Sequence, residues 1–124
     1  MSESPPEPRN ETTIRVELGP RSYEIRVTSG PGSEAFGRFV RSVLESSWAG
    51  RSCRRALIVT DRNLAAFPWV QSYHEALESI GIAPSRAVVP AGESAKSLAQ
   101  LSGLHDTLVE MNADRHTLVV AVGG

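Results

Sequence analysis

The stretch Ala56–Asn63, with the sequence ALIVTDRN, begins with four apolar residues and ends with four polar ones. Its apolar part does not alternate with polar residues, which is typical of a strand buried on both faces of a parallel sheet. Two similar apolar runs follow at Ala87–Val89 and Leu118–Val122. The repeat of about 30 residues matches a strand, a helix and a return connection, so the spacing predicts βαβ units.

The segments around these runs have the periodicity of amphipathic helices. Apolar residues recur three and four positions apart in segments 36–44, 70–80 and 98–111. Gly81 follows the second of them and predicts its end. The predicted fold class is therefore α/β, a Rossmann-like parallel sheet covered by helices.

Residues 13–27 have a different pattern, in which apolar and polar residues alternate. Ile14 and Val16 alternate with charged residues, as does Ile25 further on, and Gly19-Pro20 separates the two runs. This predicts an antiparallel β-hairpin ahead of the parallel sheet. Residues 1–12 carry three prolines and three glutamates, so we expect a disordered tail there and one domain over residues 13–124.

Composition narrows the functional classes. The 124 residues are 40% hydrophobic and 22% charged with a net charge of −1, which indicates a soluble globular protein and argues against a nucleic-acid partner. The longest apolar run is far shorter than the roughly 20 residues of a membrane-spanning helix, and the N-terminus lacks the apolar segment of a secretory signal. We therefore expect a cytoplasmic protein without a membrane partner. A single cysteine, Cys53, excludes an internal disulfide, and no Cys/His cluster predicts a metal site.

Ligands of open α/β sheets bind at the carboxyl ends of the strands, which makes the residues after each apolar run candidates. Asp61 and Asn63 follow the first run and could bind a ribose diol or an adenine edge, or could form a turn or a helix N-cap. Glu93 and Lys96 lie in the stretch PAGESAKS after the second run. Glu93 could bind sugar hydroxyls, and Lys96, the only lysine, could balance a pyrophosphate or a substrate anion. Both residues could instead belong to a solvated helix start.

Glycines and isolated reactive residues supply weaker candidates. Gly123-Gly124 could let the backbone approach a phosphate closely. Gly30-Pro31-Gly32 lacks the third glycine of a dinucleotide-binding motif, so we interpret it as a turn. The arginines next to Cys53 could lower the pKa of its thiol, although a structural role is favoured. Trp48 and Trp69 are interpreted as packing or lid residues.

The last apolar run, Leu118–Val122, has no helix after it in the sequence. This predicts a fragment of a longer protein and an incomplete domain.

Taken together, ALIVTDRNL (Ala56–Leu64), VVPAGESAKSL (Val88–Leu98) and LVVAVGG (Leu118–Gly124) resemble the N-terminal domain of the 3-dehydroquinate synthases. The element PxGExxKS is the most specific part. The resemblance covers Thr13–Gly124, about the first third of a family member.

The resemblance implies an NAD-binding domain without catalytic residues or metal ligands of its own, inactive in isolation. A domain beyond Gly124 would bind zinc or cobalt and most of the substrate. The implied enzyme is a homodimer that converts 3-deoxy-D-arabino-heptulosonate 7-phosphate into 3-dehydroquinate and phosphate in the shikimate pathway, recycling NAD in each turnover. By position, the adenosine, ribose and phosphate parts of NAD would be bound by Asp61, Arg62, Asn63, Glu93, Ser94, Ala95, Lys96, Gly123 and Gly124.

Other assignments remain open at this point. Another sugar-phosphate cyclase, such as a 2-deoxy-scyllo-inosose or valiolone-type synthase, would share this domain and cofactor. Glycerol dehydrogenases and iron-dependent alcohol dehydrogenases share a glycine turn, but PAGESAKS argues against them. A non-catalytic nucleotide-binding α/β module is the alternative from a different class.

Overall fold

The computed structural model describes residues 11–28, 33–47, 52–92 and 96–123. Within these ranges the elements follow the predicted order of hairpin, helix, strand, helix, strand, helix and strand, which confirms the predicted fold class. They are β1 (Glu11–Val16), β2 (Tyr23–Thr28), α1 (Ser33–Ser47), β3 (Arg55–Asp61), α2 (Pro68–Ser79), β4 (Ala83–Val89), α3 (Leu98–Glu110) and β5 (Thr117–Val122). None of the helices in the described ranges combines the length and apolar character needed to cross a bilayer.

The hairpin forms a two-stranded antiparallel sheet of its own. A short 3-10 turn at Gly19–Arg21 joins the strands, as the Gly19-Pro20 signal predicts. Strand β1 begins at Glu11, two residues before the predicted boundary, because Glu11 and Thr12 pair with the end of β2. Residues 1–10 of the predicted tail lie outside the described residues.

The charged face of the hairpin is turned toward α1. Arg26 is central to this contact, with its guanidinium 3.8 Å from the Glu11 carboxylate and 3.6 Å from that of Glu24. The same group lies 5.3 Å from the ring centroid of Phe39 and donates a hydrogen bond of 3.3 Å to the Ser42 hydroxyl. The hairpin therefore contacts α1 through this cation–π contact and this hydrogen bond, whereas the two ion pairs of Arg26 lie within the hairpin.

The main sheet has three parallel strands in the order β4-β3-β5. Only the central strand is buried on both faces, with Ala56, Leu57 and Ile58 all inaccessible to solvent. The prediction that all three strands are buried on both faces is wrong for β4 and β5, in which Val88 and Val119 are more than half exposed. The physical reason is position, because each of these strands has a single neighbour in the described sheet.

The core lies between this sheet and the pair α1–α2. Its buried residues are Val40, Ala56, Ile58, Val70, Leu77 and Ile82. Helix α2 ends where predicted, and Gly81 with φ of +85° supplies the left-handed residue that follows it. Helix α3 contacts β4 and contributes no fully buried residue. Most of the buried apolar side chains therefore lie between the sheet and the α1–α2 pair.

Candidate functional site

The three parallel strands end at a common edge. Asp61 lies opposite Val89 of β4, and Thr60 lies opposite Val122 of β5, so the loops after all three strands emerge side by side. The chain runs from β3 outward to β4 and then back across to β5. This topology places the reversal of strand order between β3 and β5, which is where open α/β sheets bind their ligands. We call this edge the carboxyl-edge site.

The loop after β3 places a carboxylate at this edge. One oxygen of Asp61, Oδ1, accepts a hydrogen bond of 2.9 Å from the Leu64 amide, and the Asp61 carbonyl accepts one of 2.9 Å from the Ala65 amide. The Arg62 amide donates to the Val89 carbonyl at 3.1 Å and ties the loop to β4. The turn interpretation of Asp61 is thus confirmed for Oδ1. Within the described residues Oδ2 accepts no hydrogen bond, and the side chains of Arg62 and Asn63 are exposed.

The loop after β4 leads to the N-terminus of α3. Gly92 has a φ of +82°, a conformation that favours glycine. Ser97 is the N-cap of α3, and its hydroxyl accepts a hydrogen bond of 3.2 Å from the Gln100 amide. Lys96 precedes it and borders a groove of about 410 Å³ whose other lining residues are Ser97, Leu98, Leu101 and Leu104. A cationic side chain beside a helix N-terminus favours an anion. Glu93, Ser94 and Ala95 lie outside the described residues.

The end of β5 leaves open space at the same edge. A Cβ atom added to Gly123 would meet no heavy atom within 4 Å. Gly124 lies outside the described residues. Close by in β3, the Thr60 hydroxyl is buried and has no hydrogen-bond partner in the described part of the chain. A buried hydroxyl without a hydrogen bond lowers the stability of a protein by on the order of 1–3 kcal/mol. The Thr60 hydroxyl can therefore still form a hydrogen bond that the described residues do not provide.

An aromatic pair that was not predicted from the sequence lies next to the loop after β3. Phe67, the N-cap of α2, and Trp69 stack with ring centroids 5.6 Å apart and an interplanar angle of 18°. Both side chains are about half exposed, so Trp69 does not pack in the core. The sequence Phe-Pro-Trp soon after a strand-end polar cluster is the signal that could have identified this pair. Trp48 lies outside the described residues, as do Gly30, Pro31 and Gly32.

The single cysteine is placed away from the carboxyl-edge site, just before β3. Burial raises the pKa of the Cys53 thiol, and Asp114 adds to the rise, whereas hydrogen bonds with the backbone of Leu118 and Arg55 partly offset it. The thiol donates to the Arg55 carbonyl at 3.4 Å. The pKa of this thiol is therefore raised and not lowered, and the structure supports the structural role.

A slow reaction of Cys53 with thiol reagents is expected. Because partial burial shields the thiol and its raised pKa lowers the fraction of reactive thiolate, the native chain should react with Ellman's reagent more slowly than the chain unfolded in urea. The rate of the native chain should also rise at higher pH than that of the unfolded chain. Stopped-flow absorbance measures both rates, and equal rates would contradict the assignment.

Histidines and acidic residues form no metal-ligand cluster in the described ranges. No group of three His, Cys, Asp or Glu side chains is placed to hold an ion there. His74 instead accepts a hydrogen bond of 3.2 Å from Arg86 and has its Nε2 atom 3.5 Å from the Glu78 carboxylate. His74 thus takes part in a surface contact between α2 and β4.

Sequence comparison finds 3-dehydroquinate synthases among the relatives of this chain. The chain is 40% identical over 109 residues to the 3-dehydroquinate synthase of Symbiobacterium thermophilum. This alignment covers 88% of this chain and 28% of that enzyme. It is 36% identical over 121 residues to the 3-dehydroquinate synthase of Rhodopseudomonas palustris, with coverage of 98% and 29%. The enzyme of Rhizobium leguminosarum is 36% identical over 113 residues, with coverage of 90% and 27%. The chain thus spans less than a third of the length of these relatives.

Two other comparisons add little. No protein-family model matches the chain. The solved structure of a β-decarboxylating dehydrogenase from Thermococcus kodakarensis aligns with 90% of this chain and 29% of the dehydrogenase chain. The sequence identity is 16% and the TM-score is 0.39, which is too low to support an argument.

Proposed function

We propose that this chain, which is related to the 3-dehydroquinate synthases over about nine tenths of its length, forms the NAD-binding part of such an enzyme. The reaction we assign to the full-length enzyme converts 3-deoxy-D-arabino-heptulosonate 7-phosphate into 3-dehydroquinate and phosphate. The observation that carries the proposal is the carboxyl-edge site, where the three strand ends meet at the reversal of strand order.

The described residues fit a dinucleotide at this edge. Asp61 keeps one carboxylate oxygen available for the hydroxyls of a ribose, and the amide of Asn63 lies two residues on in the same loop. The open space at Gly123 leaves room for a phosphate close to the backbone. Lys96 beside the N-terminus of α3 supplies positive charge for the same anionic part. Arg62, exposed in the β3 loop, is a further cation for it. When bound, NAD supplies reversible hydride transfer, while the residues of this chain bind and orient it.

Glu93, Ser94, Ala95 and Gly124 belong to the same proposal on the strength of the PAGESAKS motif and the glycine pair. They are assigned to the ribose and phosphate groups of NAD. We assign these residues to cofactor binding. The zinc or cobalt ion and most contacts to the sugar phosphate are proposed for other parts of the full-length enzyme. Its homodimeric state and cytoplasmic location are part of the proposal.

Replacing Asp61 by asparagine tests the proposal. Asp61→Asn keeps an Oδ1 acceptor for the Leu64 amide but removes the charge that strengthens hydrogen bonds to ribose hydroxyls. We expect NAD to bind this variant about tenfold or more weakly than the original chain, as measured by isothermal titration calorimetry.

The matched control is Asp106→Asn, which makes the same chemical change at an exposed position on α3. NAD affinity should be unchanged in this control, and the thermal unfolding midpoints of all three chains should be similar. Equal NAD affinity in the two variants would remove Asp61 from the site. No saturable binding to the original chain at millimolar NAD would reject the proposed function.

A further inference from the structure

A small polar pocket lies at the amino ends of β3 and β5, on the opposite edge of the sheet from the carboxyl-edge site. Arg55 at the start of β3 is the register partner of Thr117 at the start of β5, so the segments that enter the two strands run side by side. These segments line a pocket of about 250 Å³. We call it the amino-edge pocket, and its lining residues are Ser52, Arg54, Arg55, Asp114, His116 and Thr117.

Two guanidinium groups without an acidic partner border the amino-edge pocket. Arg15, Arg26 and Arg38 each have a glutamate carboxylate within 4 Å. In the part of the chain that the structure describes, neither Arg54 nor Arg55 has a carboxylate at such a distance. Like charges that border one pocket repel each other, and an anion bound between them would offset this repulsion.

One of the two guanidinium groups is fixed by a hydrogen bond. Nη1 of Arg55 donates to the Asn112 carbonyl at 3.3 Å, and the Arg55 side chain is half-buried. A guanidinium has several N–H donors, and the others of Arg55 have no acceptor among residues 11–28, 33–47, 52–92 and 96–123. Arg54 and the Ser52 hydroxyl are exposed beside it and also have no hydrogen-bond partner within those ranges. The amino-edge pocket therefore contains several donors that can bind a ligand.

The acidic residue of the pocket, Asp114, is engaged elsewhere. Its Oδ1 atom accepts a hydrogen bond of 2.8 Å from the His116 amide and one of 3.4 Å from the Thr117 hydroxyl. The Asp114 carboxylate thus stabilises the turn that enters β5 and forms no ion pair with Arg54 or Arg55. The pocket has two positive charges against one negative charge, and His116 adds a positive charge when it is protonated. Its electrostatic potential therefore favours an anion.

We propose that the amino-edge pocket binds the phosphate group of a small ligand. The planar donors of a guanidinium match pairs of phosphate oxygens, and a phosphate has enough oxygens to accept from Arg54, Arg55 and Ser52 together. Pockets that enclose a drug-sized molecule measure about 300–1,000 Å³, so the smaller amino-edge pocket suits a compact anion. The phosphate group belongs either to inorganic phosphate or to an ester whose remaining atoms lie outside the pocket.

Titration with inorganic phosphate at constant ionic strength tests this pocket. In proton–nitrogen correlation NMR spectra of the original chain, the amide signals of Arg55, His116 and Thr117 should shift and reach saturation. Arg54→Gln should weaken phosphate binding about tenfold, because it removes a charge-assisted hydrogen bond. The matched control is Arg115→Gln, which removes the same charge next to the pocket at a residue that does not line it. This control should change the phosphate affinity less than about twofold, and both variants should keep the thermal unfolding midpoint of the original chain.

A second titration, with glucose 6-phosphate and with glucose as its control, distinguishes the two sources of the phosphate group. Tighter binding of the ester than of inorganic phosphate would identify an ester as the ligand, and weaker binding would identify free phosphate.

Three results would overturn the proposal. They are the absence of saturable shifts, shifts confined to the carboxyl-edge site near Gly123, and equal phosphate affinities of Arg54→Gln and Arg115→Gln. Asp61→Asn should bind phosphate as the original chain does, because Asp61 lies at the other end of β3. Failure of the phosphate titration would thus leave the cofactor assignment standing, and failure of the NAD titration would leave the amino-edge pocket standing.

Discussion

Replacing Leu77 by alanine is expected to lower the free energy of unfolding of this chain by about 3 kcal/mol. Leu77 is fully buried and belongs to the core cluster that packs α1 and α2 against β3. Truncation removes buried methyl groups and leaves a cavity that the surrounding side chains fill only in part. For a domain of this size, such a loss is a large share of total stability. Urea denaturation followed by circular dichroism measures the change.

The control for this prediction is Leu98→Ala. Leu98 carries the same side chain on a helix but is 84% exposed, so the same truncation should change the free energy of unfolding by less than about 0.5 kcal/mol. Similar losses for the two variants would contradict the placement of the core between the sheet and the α1–α2 pair.

Placing a valine at position 123 should weaken NAD binding about 100-fold while leaving the fold intact. An added Cβ at Gly123 meets no heavy atom within 4 Å, so the protein itself tolerates the side chain. Under the proposed function, the same space is where a phosphate approaches the backbone, and a branched side chain there would displace it. Calorimetric titration with NAD gives the affinity, and thermal unfolding gives the stability.

Two variants define what this result would mean. Gly123→Ala should weaken NAD binding less than the valine does, because it fills less of the space. Gly103→Ala, on α3 with equally open surroundings, should leave NAD affinity unchanged. If Gly123→Val binds NAD as the original chain does, the end of β5 is not part of the cofactor site.

Periodicity was sufficient to predict the elements of the fold. Unbroken apolar runs, such as Ala56–Val59, indicated the strands, and the 3.6-residue pattern indicated the helices. Alternation in the hairpin correctly showed which residues share a face. It could not show which face packs against the protein, because that depends on the partners that Arg26 finds on α1.

The sequence predicted where the candidate site lies but not the contacts within it. Strand ends in a parallel sheet converge whatever their sequence, so Asp61 and Gly123 could be placed at one edge from the order of elements alone. The sequence could not predict that Oδ1 of Asp61 accepts a hydrogen bond from the Leu64 amide while Oδ2 does not, because this depends on how the loop turns back to Leu64. The stacking of Phe67 on Trp69 likewise depends on where α2 begins.

The central position of β3 also bears on the order in which the chain assembles. Strands β3 and β4 are separated by fewer than 30 residues, whereas β5 pairs with β3 across about 60. Closing the longer loop costs more chain entropy. The pairing of β5 with β3 can offset this loss only after α2 and β4 have positioned β3. We therefore expect the β3–α2–β4 unit to form first and β5 to be added late. Because β5 carries Gly123 at its end, the carboxyl-edge site would be among the last parts of the chain to become ordered as it folds.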